Sequence, residues 1–381
     1  MNRTDLTEII ELSHQYGQNP DFVLAGGGNT SVKDHDTMYV KASGQRLADI
    51  QPDGFVALNL ARLFTITEKA YPADEQTAEA EVLADMLAAR LPGENGRPSV
   101  EALLHALFPQ KFVVHLHPSM LNGLTCARDG EGAAFCYLGE EGVWLDATKP
   151  GYTLAIAARK KLNHVAQRRG IFPSVLLLQN HGVFFAAETK ADMIALIEHT
   201  CEQIRFGVTQ MPQLAEDSDA SEPVAELESM VQAVVGAERS TCFFTNATLR
   251  HQSDGWQTVE SCSLTPDHIV YLGHAFCCVN HSPDRTEQQH LLEDAICAFR
   301  ETAGYLPKII VIRGVGAFAC AATQRDAETY RALFLDALKI TVYARNFGGV
   351  QMMSNDLTNF IRNWEVERYR QQVFSSGNTA V

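Results

Sequence analysis

The sequence predicts an α/β protein, with helices covering both faces of a β-sheet, followed by a second, smaller α/β domain. Three observations carry that expectation. Strand-like apolar runs alternate with amphipathic helical stretches through the first 210 residues, an acidic segment then breaks the pattern, and a strand–turn–helix signature from the first part returns in the second. A chain of 381 residues also exceeds the usual reach of one hydrophobic core. Domains are therefore expected at 1–210 and 226–381, the second of unknown role, joined by an acidic linker at 211–225 whose centre, Gln213 to Pro223, has no apolar periodicity. A solvated loop within one domain is the alternative.

Thr4 to Gln18 has the apolar spacing of a helix, and Phe112 to His117 and Ser174 to Gln179 read as strands. Thr189 to Ile204 follows the second strand as an amphipathic helix, with Thr189 and Asp192 placed to cap it. Alternation alone leaves strand direction open. Sliding the sequence by 134 residues lays Pro173–Phe184 over Pro307–Phe318, and Thr189 and Asp192 over Thr323 and Asp326. This is either a common strand–turn–helix pattern or a duplication. In the second case Val315 stands where the first copy has His181, so chemistry is expected in the first half.

Composition narrows the function. Hydrophobic residues at 46% and charged residues at 20% exclude wholesale disorder. Lys and Arg number 31 against 46 Asp and Glu, and a net charge of −15 repels a polyanion, so nucleic acid is not an expected partner. The first residues lack the apolar core of a secretory signal, and no apolar run approaches the ~20 residues of a membrane span. A cytoplasmic protein without a membrane partner is expected. Nine cysteines without a C-x-x-C motif fit buried thiols in a reducing compartment. Cys277-Cys278 reads as part of an apolar strand in preference to a thiolate ligand pair, and His268, His274, His281 and His290 as scattered surface histidines.

Several segments could carry chemistry. His115 and His117 lie two apart on a strand, so both imidazoles project from one face, where they can meet one cation or form an ordinary hydrogen-bonded pair. His181 sits in Asn180-His181-Gly182, where an apolar strand ends and a glycine permits a turn, and three imidazoles with an open fourth position would make a catalytic metal site. Glu101 follows Pro98 and Ser99 at a helix start. It either compensates the helix dipole, worth ~0.3–1 kcal/mol, or acts as a general acid/base with its pKa raised by desolvation. A structural role is expected for His105, one turn on. Gly26-Gly27-Gly28-Asn29-Thr30-Ser31 could cradle an anion, and Lys41-Ala42-Ser43-Gly44-Gln45-Arg46 ends another strand-like run with polar groups; either could equally be a plain turn. Neither is a Walker loop or a dinucleotide fingerprint.

Taken in order, G-G-N-T-S at 27–31, K-A-S-G at 41–44, S-V-E at 99–101, H-L-H-P at 115–118 and N-H-G at 180–182 resemble the class II (zinc-dependent) aldolase/adducin family. The resemblance implies a central, mostly antiparallel sheet flanked by helices. It implies Zn²⁺, or another divalent metal, held by His115, His117 and His181, with Glu101 as catalytic acid/base. Asn29, Thr30, Lys41, Ser43, Gly44 and Ser99 would bind the substrate or its phosphate; Lys41 departs from the small hydroxyl residue of well-known members, pointing to a more charged phosphate site or to an unphosphorylated acid. The implied activity is an aldehyde-lyase acting on a ketose phosphate or related sugar or sugar acid, with a sugar-phosphate epimerase or dehydratase, or a non-catalytic adducin-like interaction module, as alternatives. The spacing of Glu101 and His115 and the segments 307–318 and 346–349 look closest to the aldolase part of long rhamnulose-phosphate aldolase/alcohol dehydrogenase fusions, although no Rossmann fingerprint follows residue 350. A homo-oligomer is implied, a ring of four or a dimer resembling one.

Overall fold

The computed structural model describes residues 3–215, 224–251 and 263–364. The centre of the expected linker, 216–223, lies outside them, as does Cys262; Val224 and Ala225 already belong to the helix Val224–Val235.

A seven-stranded sheet is built from β1 (Asn29–Asp34), β2 (Thr37–Lys41), β3 (Phe55–Asn59), β4 (Phe112–Leu116), β5 (Gly142–Leu145), β6 (Val175–Leu178) and β7 (Gly182–Ala187), in the order β3-β2-β1-β4-β7-β6-β5. Every neighbouring pair is antiparallel except β5 and β6. The alternation of side chains explains the layers. On β4, Phe112, Val114 and Leu116 point to one face and pack with Ile9, Leu12 and Ile197 from the helices Arg3–Gly17 and Lys190–Arg205. Val113 points the other way and packs with Leu103, Leu104 and Leu162 from the helices Ala102–Leu107 and Tyr152–Arg169. His115 shares this second face, and β4 is central, with Asn29 of β1 opposite it on one side and Phe184 of β7 on the other. Thr189 caps the helix after β7 by accepting the Asp192 N–H, as its position in the sequence predicts.

A second, four-stranded sheet contains β8 (Ser240–Phe244), β9 (Cys277–Val279), β10 (Ile309–Ile312) and β11 (Gly316–Ala321), ordered β8-β11-β10-β9. It repeats half of the first sheet in register. Val175 pairs with Phe185 and Leu178 with Gly182; 134 positions on, Ile309 pairs with Ala319 and Ile312 with Gly316. The parallel pairs Val143–Leu176 and Cys277–Ile310 keep the same offset, as do the left-handed glycines Gly170 and Gly304 that end the preceding helices. β8 lies beside β11 as β4 lies beside β7, which places Phe243 where the first sheet has His115. Val315 is in the turn position of His181, and the Thr245 hydroxyl, two residues past Phe243, donates to its carbonyl. The repeat thus runs through four strands, with the ligand-type residues replaced. Cys277 and Cys278 face opposite sides of this sheet and pack into different clusters, as period two requires of adjacent strand residues.

The long helix Gln324–Arg345 packs against the helix Ser119–Thr125 just beyond β4, and the Ser119 hydroxyl donates to Asp336 across that seam. Among the described residues, no helix is long and apolar enough to cross a membrane.

Candidate metal centre

β4 ends at Leu116, so His115 is its last residue but one and His117 lies just past its end, both on the face that looks toward the helix Ala102–Leu107. His181 occupies the tight β6–β7 turn, where Asn180 takes a left-handed φ of 56° and holds the turn by donating to the Leu264 and Gln351 carbonyls at 3.1 and 2.8 Å. One ligand atom from each histidine lies within 4.8 Å of the other two. Gly182 is what allows this approach. A Cβ there would lie 2.6 Å from His117 Cδ2, 2.6 Å from the Leu116 carbonyl oxygen and 3.0 Å from His115 Cε1.

The hydrogen bonds set the chemistry of the rings. His115 Nδ1 is 3.1 Å from the Val183 carbonyl, which only accepts, so Nδ1 donates there and Nε2 is the ligand atom of the neutral ring. His117 Nδ1 is 2.6 Å from Asp267 Oδ2, giving the same assignment. The two Nε2 atoms then face each other at 2.9 Å. In neutral rings, two lone pairs at that separation repel unless a proton or a metal ion lies between them. The donor set therefore fits a divalent cation shared by His115, His117 and His181, the arrangement of an open imidazole site. His115 is also held from behind by a stacked Phe184 ring, 4.1 Å between centroids and 15° from parallel.

Glu101 lies at the N-terminus of the helix Ala102–Leu107, yet its side chain makes no capping bond. Its Oε1 is instead 3.2 Å from His115 Nε2 and 3.3 Å from His181 Nε2. Burial pushes the carboxyl up, but the two imidazoles that face it, His115 and His181, outweigh burial and hold it well below the usual carboxylate range. This corrects the expectation of a raised pKa: a neighbourhood of imidazoles, in place of a purely apolar one, decides the sign. His105, one turn on, is fully buried, bonds Ser31 Oγ through Nδ1 at 2.8 Å and packs edge-on to Phe184, a structural role as expected.

Asn29 donates to Ser99 Oγ and, at 3.4 Å, to Glu101 Oε2, so it braces the glutamate from β1. Lys41, Ser43, Gly44 and Ser99 line the same small pocket, of about 40 Å³, as Glu101, His117 and His181. Lys41 is buried, and its ammonium donates to the Gln45 carbonyl at 2.8 Å. Thr30 is elsewhere: strand alternation turns it to the opposite face, where its hydroxyl meets Ser13 Oγ at 2.8 Å. His268 corrects the reading of scattered surface histidines. It is buried, 3.2 Å from Asp336 through Nε2 and 2.8 Å from Thr265 Oγ1 through Nδ1. Sequence reasoning also missed Pro150 and, from the second half of the chain, Pro266, Asp267 and Trp364, which line the same pocket. The acidic residue in the first turn after Thr265-Pro266 is an ordinary helix-start signal and carries no sign of its histidine partner.

The fold and the clustered imidazoles define a class II aldolase-type domain. Residues 7–205 match the Class II Aldolase and Adducin N-terminal domain family, and the chain belongs to that family. A Bacillus subtilis (strain 168) protein named uncharacterized oxidoreductase YuxG is 23% identical over 413 residues, covering 95% of this chain. The chain spans 58% of the length of that relative. Among solved structures, the N-terminal class II aldolase domain of a conserved protein from Thermoplasma acidophilum is 27% identical, covering 54% of this chain and 94% of that one with a TM-score of 0.46. The L-fuculose-1-phosphate aldolase from Thermus thermophilus is 17% identical, covering 54% and 94% with a TM-score of 0.36.

Proposed function

We propose that the protein is a zinc-dependent class II aldolase, cleaving or forming a C–C bond in a ketose phosphate or a related sugar or sugar acid. The observation that carries this reading is the meeting of His115 and His117 Nε2 at 2.9 Å beside His181, with a carboxylate, Glu101, within 3.3 Å of two of the three rings. Bound Zn²⁺ would supply Lewis-acid polarisation of a carbonyl oxygen. Glu101, ionised at neutral pH, is placed to take a proton from the carbon next to that carbonyl and to return it. Asn29 keeps the carboxylate oriented through its 3.4 Å bond to Oε2. Lys41, Ser43, Gly44 and Ser99 line the same pocket and supply charge and polar groups that suit an anionic substituent, phosphate or carboxylate. The non-catalytic interaction module is disfavoured by this gathering of ligand-type and carboxylate groups.

The test is a screen of retro-aldol cleavage over phosphorylated and free ketoses with zinc-loaded protein, alongside Glu101→Gln. Two carbonyl fragments, lost by ~10²–10⁴-fold in the variant while its zinc content stays one per chain, are expected. A single isomeric product would replace the aldolase reading with an epimerase, and full cleavage by the variant would remove Glu101 from proton transfer.

A further inference from the structure

We infer that Asp267, in the second half of the chain, is a positioning residue of the metal centre: its carboxylate fixes the tautomer and aim of His117, so the half without metal ligands completes the site in the other. This inference rests on the reading of His115, His117 and His181 as ligands.

Asp267 Oδ2 lies 2.6 Å from His117 Nδ1, and both side chains are about nine-tenths buried. The bond spans 150 positions in sequence and links the first turn of the helix Pro266–Leu272 to the end of β4. An imidazole whose Nδ1–H is given to a carboxylate presents a more basic Nε2 in a fixed direction, which strengthens ligation. His115 has only a neutral carbonyl, Val183, behind it. Of these two rings, His117 therefore has the stronger electrostatic backing.

The aim of Asp267 is fixed from several sides. Thr265 caps the helix and also holds His268. His268 faces Asp336, which accepts from Ser119, two residues past His117. The Leu264 carbonyl accepts from Asn180, next to His181. The segment 264–268 is thus tied to both ligand-bearing stretches. Gly27 leaves the room for the contact: a Cβ on it would fall 2.6 Å from Asp267 Oδ2 and 3.1 Å from His117 Nδ1. A methyl group there meets the hydrogen bond from the first half of the chain, so the pair can be perturbed from either side.

The experiment measures Zn²⁺ affinity by competition with a chromophoric chelator, and the visible spectrum of Co²⁺-loaded protein, for wild type, Asp267→Ala, Asp267→Asn and Gly27→Ala. Asp267→Ala is expected to weaken Zn²⁺ binding ~10–100-fold and to shift the Co²⁺ bands. Asp267→Asn keeps an acceptor for Nδ1–H but loses the charge, so a smaller loss is expected. Gly27→Ala should weaken binding in the same direction as Asp267→Ala. Melting in excess chelator shows whether each variant is folded, and Asp267→Asn or Gly27→Ala carries the test if Asp267→Ala is not. Folded variants with wild-type affinity and an unchanged Co²⁺ spectrum would overturn the role of Asp267 alone. Wild-type protein that takes up neither ion would overturn the metal reading itself.

Discussion

Replacing Gly182 with alanine tests the geometry of the imidazole pair most directly. The backbone at Gly182 is not in the left-handed region, so alanine meets no conformational penalty, only its neighbours. The added Cβ would stand 2.6 Å from His117 Cδ2 and from the Leu116 carbonyl, where ordinary contact needs about 3.5 Å or more. Relief requires a shift of about 1 Å at the end of β4, where both histidines are anchored. Overpacking of that size costs about 1–3 kcal/mol of stability. Moving a ligand by such a distance should weaken Zn²⁺ binding by about 1.4–2.7 kcal/mol, or ~10–100-fold. Chelator competition at pH 7.5 reads the affinity, and urea unfolding with excess chelator reads the stability of the metal-free protein separately. Gly132→Ala is the control: nothing lies within 4 Å of a Cβ there, so no loss of either quantity is expected. A folded Gly182→Ala protein with unchanged zinc affinity would refute the placement of His115 and His117 as a converging pair.

Two further outcomes follow from buried titratable groups. Burial holds the His105 imidazole well below its ordinary value of 6.5, so the folded state resists its protonation while the unfolded state accepts it. Its contribution to stability is present above about pH 6.5 and is lost as the pH falls, by up to about 1.4 kcal/mol per unit. His105→Leu should flatten the fall in urea midpoint between pH 7 and pH 5; a variant that follows the wild-type curve would contradict this. Burial also pushes the thiols of Cys126, Cys201, Cys277 and Cys320 up to about 12, while Cys136 and Cys297 are exposed. Among the described cysteines, iodoacetamide at pH 8 should label residues 136 and 297 first in a peptide map, and early labelling at 277 or 320 would show the second sheet to be open.

Local signals reached much of the fold and of the site. The strands at 112–117 and 174–179 and the Thr189 cap were legible because each is set by neighbours within a few residues. The three histidines were legible for a related reason: period two and a strand-ending turn place them without knowledge of the rest of the chain. The matching registers at Val143 and Cys277 were not legible, because apolar residues are interchangeable in a buried strand and leave little identity to align. The sign of the Glu101 shift depends on rings from β4 and the β6–β7 turn, so its own helix could not disclose it. Thr30 was misplaced by grouping it with Asn29 in one motif, although alternate strand residues face opposite ways. Asp267 is the extreme case, because its meaning lies wholly in a partner reached through tertiary packing.

The half-sheet repeat separates a shape from the residues that fill it. Phe243 and Phe318 meet at 5.0 Å in the places held by His115 and Phe184, and Thr245 touches Val315 where His117 neighbours His181. The same hairpin geometry stands in both sheets, but in the second a phenylalanine, a valine and a threonine fill the three histidine positions. Among the described residues the second sheet gathers no such cluster of its own, so this half of the chain bears on the chemistry from outside, through the one carboxylate it extends to His117.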